Sequence, residues 1–258
     1  MTRKSFIHPF LSFLLLFLPL FAAAQPAGVK KAAQSVFTLT TYNADGTILA
    51  TSHGVFMGAA GEGVAMWNPF KGAARAVVID ARGRQYDVDV MLGVSENYDL
   101  CRFRIKGTSA APALPLTASD AAASPVYVVG YDLKKADIRS LTPERTEKFM
   151  TSYNYYVFND ADVSAAQLGC PVVNASGELL GIMQRPETGG QAFAADTRVT
   201  TTFKLTAFSI NDATLRATGI RTALPADEKD ATVMLLMAAG SVDSTKYEAY
   251  IDDYIRLF

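Results

Sequence analysis

The sequence predicts an all-β chain of two strand-rich units followed by a short α-helical C-terminal segment. From residue 35 to about residue 196, short stretches rich in β-branched and aromatic residues alternate with polar turns such as 43–46 and 81–84. Many short strands at this spacing are typical of a β-barrel or a β-sandwich. After residue 208 the apolar residues recur instead at helical spacing.

A segment rich in alanine, proline and other small residues separates the two strand-rich units at 107–115, and we interpret it as part of a linker. This composition supports a division into two β units of similar size rather than one large sheet. The predicted organisation is a signal peptide at 1–24, a first β-barrel at 30–107, a linker at 108–124, a second β-barrel at 125–207 and a helical segment at 208–258.

Three helices are predicted in the C-terminal segment. Asn211 or Asp212 is the candidate cap of a short helix that stops at Gly219, a longer helix runs from Asp227 to Ala239 and ends at Gly240, and Ser244 is a candidate cap for the last. One face of the last helix is rich in aromatic and aliphatic residues, which favours packing against the preceding helix. There are two alternatives: this face forms a groove for a partner, or the chain is a fragment of a longer helical-repeat protein. The residues of that face are Tyr247, Tyr250, Ile251, Tyr254, Ile255 and Phe258.

Residues 1–24 have the features of a cleaved signal peptide. Arg3 and Lys4 give a basic start, an apolar run follows at 10–21, and three alanines end the segment at Ala24. The apolar run is shorter than the roughly 20 residues that a spanning helix requires. We therefore expect cleavage after Ala24, a periplasmic or secreted protein, and no stable membrane span after cleavage.

Charge and histidine content exclude several kinds of function for the expected mature chain. Without Arg3 and Lys4 it has 22 basic and 25 acidic residues, a net charge of about −3, which argues against nucleic acid as a partner. His53 is its only histidine, and no cysteine–histidine cluster has metal-ligand spacing. We expect neither a metal site nor a cofactor. Export would permit a disulfide between Cys101 and Cys170, although two buried free thiols are the favoured interpretation.

Four sequence blocks occur in an order that indicates one family. They are 52–56 (SHGVF), 65–73 (AMWNPFKGA), 98–103 (YDLCRF) and 166–174 (AQLGCPVVN), with a strand at 126–131 between the last two. In this order and spacing the blocks resemble those of the trypsin-like serine proteases, especially the bacterial periplasmic stress-protease branch, over about residues 30–200. The resemblance implies two antiparallel β-barrels of the trypsin-like type, with a catalytic cleft between them.

The resemblance also implies a degenerate catalytic triad, because two of its three positions have lost their chemistry. Asp99 is retained, Asn68 stands where the family has the catalytic histidine, and Leu168 stands where it has the nucleophilic serine. An amide cannot accept and return the nucleophile's proton near neutral pH, and a leucine has no nucleophilic atom. Losing a triad costs on the order of a million-fold in turnover, about 8 kcal/mol of barrier.

The resemblance places the oxyanion region at Ala166 and Gly169, where a glycine of the family motif is replaced by Ala166. Alanine avoids backbone angles that glycine adopts, so the loop is expected to differ from that of an active enzyme. A rearranged cysteine-nucleophile site made of Cys170 and His53 is the alternative that would restore catalysis.

Three hypotheses about function follow. The first is a catalytically inactive pseudoprotease that binds a peptide or unfolded protein, with another exported protein as a candidate partner. The second is an active peptidase that uses Cys170 and His53. The third is an adaptor or scaffold that docks on a partner through its C-terminal helices.

Overall fold

A computed structural model describes residues 25–59, 61–118, 125–132, 135–150, 153–186 and 190–258. The predicted signal peptide at 1–24 and the end of the predicted linker at 119–124 lie outside the described residues. None of the helices in these ranges has the length and apolarity that a membrane crossing requires.

The first unit is a closed antiparallel barrel of six strands, in the order β1-β2-β3-β6-β5-β4. Phe37 lies at its centre and makes edge-to-face contacts with Phe56 at 4.9 Å and Phe103 at 5.7 Å between ring centroids. A Cβ at Gly54 would lie 2.5 Å from the Phe37 ring, so this position must remain a glycine. The strands are β1 (Val36–Tyr42), β2 (Ile48–Phe56), β3 (Glu62–Met66), β4 (Arg75–Asp80), β5 (Gln85–Ser95) and β6 (Leu100–Ile105).

The second unit is an antiparallel sheet of seven strands, in the order β8-β7-β11-β12-β13-β10-β9. The two end strands of this sheet follow one another in the chain and are separated only by residues 142–144, which include Pro143. Because three residues span only about 10 Å, the sheet must curl until its two ends meet. The strands are β7 (Val126–Asp132), β8 (Lys135–Leu141), β9 (Arg145–Phe149), β10 (Tyr153–Val157), β11 (Pro171–Val173), β12 (Leu179–Gln184) and β13 (Phe193–Asp196).

A shared apolar core joins the two units. Val36 and Val55 of the barrel are fully buried in it, together with Val129 and Val173 of the sheet. A short helix that the sequence analysis missed, α1 (Ala27–Ala32), also contributes buried residues to this core. The segment after the barrel, at 114–117, connects the two units. Leu114 N–H donates to Phe56 O of the barrel at 2.9 Å, and Thr117 N–H donates to Leu179 O of the sheet at 3.0 Å.

The C-terminal segment contains two of the three expected helices, α2 (Glu228–Ala238) and α3 (Ser244–Leu257). The short helix expected before Gly219 was wrong, because that stretch forms only two 3₁₀ turns, Ser209–Asn211 and Leu215–Ala217. Asp227 caps α2, since its Oδ1 accepts from Asp230 N–H at 3.0 Å. The predicted cap of α3 was wrong by one residue: Asp243 Oδ1 accepts from Lys246 N–H at 2.9 Å, and Ser244 is the first helical residue. A carboxylate is the better acceptor beside the partial positive charge of a helix N-terminus.

The predicted aromatic face of α3 packs only in part. Tyr250 is buried against α2, and the Tyr254 hydroxyl lies 2.8 Å from Thr232 Oγ1. Ile255 and Phe258 of the same face are instead exposed by 71% and 48%. The helix is held on the barrel by Arg221, whose guanidinium pairs with Asp89 of β5 at 3.0 Å and with the buried Asp253 of α3.

The contact between α1 and the turn that joins β11 to β12 predicts a sensitive glycine. A Cβ at Gly28 would lie 2.3 Å from Ser176 O and 2.4 Å from Ser176 C, and backbone atoms there cannot yield cheaply. Gly28→Ala should therefore lower the free energy of unfolding by about 1–3 kcal/mol in urea titrations.

Gly240→Ala is the matched control, because a Cβ at Gly240 would have no atom within 4 Å. It should change the free energy of unfolding by less than about 0.5 kcal/mol. Equal effects of the two substitutions would contradict this placement of α1.

Candidate active-site cleft

Asp99 lies in the turn between β5 and β6 and accepts hydrogen bonds from two neighbouring backbone N–H groups. Its Oδ1 accepts a hydrogen bond of 2.7 Å from the backbone N–H of Asn68, and its carbonyl accepts one of 3.0 Å from Trp67 N–H. Asp99 has a φ of +47°, in the left-handed region that aspartate tolerates better than most residues. A backbone N–H group therefore holds this carboxylate in place.

Asn68 stands at the first position of a 3₁₀ turn, Asn68–Phe70, that follows β3. Trp67 before it is fully buried and stacks on Phe70 at 6.2 Å, which anchors the turn in the barrel core. The side chain of Asn68 is exposed, while its backbone is held by Asp99. The structure thus brings two predicted triad positions together, with an amide where a base would be required.

Leu168 follows a 3₁₀ turn, Ala165–Gln167, on the second unit. The turn is closed by Gln167, whose Oε1 accepts from Ser164 N–H at 2.7 Å. Leu168 is half-buried and packs against the interior of the second sheet. At the expected nucleophile position the structure therefore has an apolar packing residue.

Two backbone donors of the loop are engaged by carbonyl groups of the protein. Leu168 N–H donates to Ala165 O at 3.2 Å, and Gly169 N–H donates to Met183 O of β12 at 2.8 Å. An oxyanion hole requires N–H groups that point at the substrate position. Ala166 is exposed within the same turn. The donors of Leu168 and Gly169 are thus engaged by carbonyls of the protein itself.

His53 lies on β2, directly against the loop of Leu168. Gly169 has a φ of +82° and packs so closely that a Cβ there would lie 3.0 Å from His53 N and 2.3 Å from Ser52 Oγ. Burial lowers the pKa of His53 below its ordinary value of 6.5. A hydrogen bond between His53 and the backbone of Leu168 opposes this effect and raises the pKa. An accepting carbonyl has this effect because it stabilises the protonated imidazole.

Cys170 does not pair with His53. Its Sγ donates to Ala166 O at 3.7 Å, and the thiol lies beside Gly130 of β7. Burial, together with the charge of Asp137, raises the pKa of Cys170 to about 12, so the nucleophilic thiolate is disfavoured. No hydrogen bond among the described residues joins Cys170 to His53. Cys101 and Cys170 are both buried free thiols, as the sequence analysis favoured.

An aromatic cluster that sequence reasoning missed lies between the two units, beside Asp99. Tyr155 stacks on Phe149 at 4.9 Å and on Phe193 at 4.4 Å, and the Tyr98 ring meets Tyr155 edge-on at 5.8 Å. Burial, and then the nearby Tyr98 and Asp99, raise the pKa of Tyr155 to about 12. The alternation of aromatic residues in β10 was the only sequence signal for this cluster.

Hydrogen bonds tie this cluster and the Asp99 turn to the second unit. Tyr98 OH donates to Phe149 O at 2.8 Å, and Tyr155 OH donates to Asn97 O at 3.0 Å. From β12, Gln184 Nε2 donates to the carbonyls of Tyr98 at 3.0 Å and Asp99 at 3.3 Å. Both units thus fix the position of the retained carboxylate.

The sequence matches the family model of the trypsin-like peptidase domain over residues 38–182, more than half of the chain. The chain belongs to the trypsin-like peptidase domain family. The predicted resemblance and the predicted fold class are therefore confirmed. The matched residues include positions 68, 99 and 168, whereas the helical segment lies beyond them.

Solved structures show the same fold for this trypsin-like peptidase domain. The HtrA-type protease AlgW with tripeptide superimposes with a TM-score of 0.56 and 22% identity over 67% of this chain. The matched part spans 60% of the AlgW chain. The Rv3671c protease from M. tuberculosis in its active form gives a TM-score of 0.58 and 14% identity over 70% of this chain and 84% of that chain. No curated protein matches the chain.

The hydrogen bond at Asp99 predicts different effects for two substitutions. Asp99→Ala leaves Asn68 N–H without its acceptor and puts alanine in the left-handed region, which should lower the free energy of unfolding by about 1–2 kcal/mol. Asp99→Asn keeps an acceptor oxygen and a residue that tolerates positive φ, so its effect should be smaller. Urea denaturation measures both. A larger loss with asparagine than with alanine would exclude the assigned role of Asp99.

The lowered pKa of His53 predicts how stability depends on pH. The folded state binds fewer protons than the unfolded state below about pH 6.5, so the free energy of unfolding should fall as the pH falls through this region. His53→Gln should weaken that dependence between pH 7.5 and 5.0. Because His53 is the only histidine after residue 24, an unchanged pH dependence in the variant would contradict the burial assigned to it.

Proposed function

We propose that this member of the family is an exported pseudoprotease that binds a peptide or an unfolded protein and does not hydrolyse it. The observation that carries the proposal is the replacement of the base and the nucleophile by Asn68 and Leu168, while Asp99 keeps its contact with the backbone of position 68. Export to the periplasm or out of the cell rests on the signal-peptide features of residues 1–24.

The chemistry of the site supports the absence of hydrolysis at three points. Asn68 has no titratable group that could take a proton from a nucleophile or give one to a leaving amine. Leu168 offers no lone pair for attack on a carbonyl. The N–H of Leu168 donates to Ala165 O, so stabilisation of a tetrahedral intermediate would first require this turn to open.

The cleft supports the binding part of the proposal. Aromatic rings that are only half-buried, including Tyr155 and Phe149, lie at the junction of the two units beside Asp99. Such rings offer large apolar contact area at little cost in side-chain entropy. AlgW, which shares the fold, has been solved with a tripeptide. A peptide or unfolded segment is therefore the proposed occupant, and another exported protein the proposed partner.

The adaptor hypothesis keeps one specific observation in its favour. Leu236 of α2 and Ile255 of α3 are exposed by 70% and 71%, so a partner that covered them would gain from the burial of apolar surface. The rearranged peptidase has no comparable support, because Cys170 bonds to Ala166 O rather than to His53.

Incubation of the purified protein with a fluorescently labelled unfolded protein tests the proposal. We expect no release of labelled fragments above the rate with buffer alone, and the same result for Cys170→Ala. Anisotropy should nevertheless report binding of labelled unfolded segments, weakened about tenfold or more by Tyr155→Ala. Phe208→Ala, which removes an exposed aromatic residue of the C-terminal segment, is the matched control and should have no effect.

The result that would contradict the proposal is hydrolysis by the native chain that disappears in Cys170→Ala or in Asp99→Ala. Binding that survives Tyr155→Ala but is lost in the double variant Leu236→Ser and Ile255→Ser would favour the adaptor hypothesis over the cleft.

A further inference from the structure

The solvent-facing side of the helical hairpin formed by α2 and α3 carries apolar side chains. Leu236 of α2 and Ile255 of α3 are largely exposed, and Phe258 at the end of α3 is about half exposed. Ile251, one turn before Ile255, shares the same face of α3 and is half-buried. Exposed apolar surface of this kind gains free energy when a partner removes it from water.

The apolar residues of the two helices form one surface. Thr232 Oγ1 of α2 lies 2.8 Å from Tyr254 OH of α3, so the helices meet at these two positions. Leu236 follows Thr232 by one helical turn, and the Tyr254 ring contacts the Phe258 ring at 5.2 Å between centroids. We call this surface the hairpin face, and it consists of Thr232, Leu236, Ile251, Tyr254, Ile255 and Phe258.

A row of carboxylates borders the hairpin face on α3. Glu248 and Asp252 are exposed, lie four residues apart, and form no ion pair within the described part of the chain. Glu248 precedes Ile251 by three residues, and Asp252 precedes Ile255 by three. Because residues three apart are neighbours on a helix surface, the acidic row runs beside the apolar row. This pattern favours a partner whose apolar residues are flanked by cations.

The charge of the whole helical segment has the same sign as this row. Residues 227–258 contain seven acidic and three basic residues, whereas residues 25–226 contain eighteen acidic and nineteen basic residues. Two of the three cations have acidic partners, since Arg256 pairs with Asp253 and Lys246 lies 3.9 Å from Asp243. A second copy of this acidic segment, or an anionic lipid surface, would be repelled, whereas a basic partner would be attracted.

We propose that the hairpin face binds a basic amphipathic α-helix of another protein. Apolar side chains of that helix cover Leu236 and Ile255, and its lysine or arginine side chains lie against Glu248 and Asp252. Such a helix presents apolar anchors at i, i+3, i+4 and i+7 with charges beside them. The hairpin face contains no residue of the Asp99 cleft, so this proposal and the proposed function of the cleft can fail independently.

A leucine–lysine peptide of about 18 residues, patterned as an amphipathic helix, tests the proposal in anisotropy titrations of the purified protein. The comparison peptide has the same apolar face and glutamate in place of every lysine. We expect the lysine peptide to bind about tenfold more tightly at low salt, with a difference that shrinks as ionic strength rises, because exposed charges are screened. Equal binding of the two peptides, or no binding of either, would overturn the proposal.

Variants locate the binding. The double variant Glu248→Gln and Asp252→Asn should weaken the lysine peptide about tenfold, since each exposed ion pair contributes roughly two- to fivefold in affinity. The double variant Leu236→Ser and Ile255→Ser should weaken it about tenfold or more through the loss of apolar contact. Asp162→Asn, which removes an exposed carboxylate from the second unit, is the matched control and should leave the affinity unchanged.

Three results with these variants would overturn the proposal. The first is an affinity for the lysine peptide that is unchanged in both double variants. The second is binding that is lost in Tyr155→Ala but kept in both double variants, which would place the peptide in the cleft. The third is a native chain that sediments as a dimer and a Leu236→Ser and Ile255→Ser variant that sediments as a monomer, which would make a second copy the occupant of the hairpin face.

Discussion

The hydrogen bond between the Asn68 backbone N–H and the Asp99 carboxylate fixes the two predicted triad positions of the first unit relative to each other. It joins the end of β3 to the turn before β6, and Gln184 ties the same turn to the second sheet. The donor at position 68 is the backbone N–H, which every residue except proline has. The geometry of the cleft can therefore persist without a histidine, whereas the chemistry that a histidine supplies cannot.

The loop of Leu168 is fixed by its own contacts. Its N–H groups donate to Ala165 O and Met183 O, its apolar side chain packs inward, and Gly169 lies against β2 at His53. The contact of Gly169 with His53 joins the two units, and the other contacts hold the loop within the second unit. Under the proposed function, the frame of the cleft is retained while Asn68 and Leu168 replace the groups that would perform hydrolysis.

Local patterns predicted most strands and the two longer helices, because strand alternation, turn residues and caps are encoded by neighbours in sequence, whereas Asp99 was identified through the resemblance to the trypsin-like family. The cap of α3 differed by one residue, since Asp243 and Ser244 are both good caps and only the backbone decides between them. The aromatic cluster could not be predicted, because Tyr98 and Tyr155 meet only after both units have folded.

Amide hydrogen exchange, followed residue by residue by NMR, tests the central claim most directly: that the frame is retained while the N–H groups of Leu168 and Gly169 are engaged by carbonyls of the protein. The N–H groups of Asn68, Leu168 and Gly169 should all exchange slowly, because each donates to an acceptor within the protein. If Leu168 N–H exchanges at the rate of an unprotected amide while Asn68 N–H is protected, the donor faces the open cleft. That result would contradict the closed loop and with it the inert site.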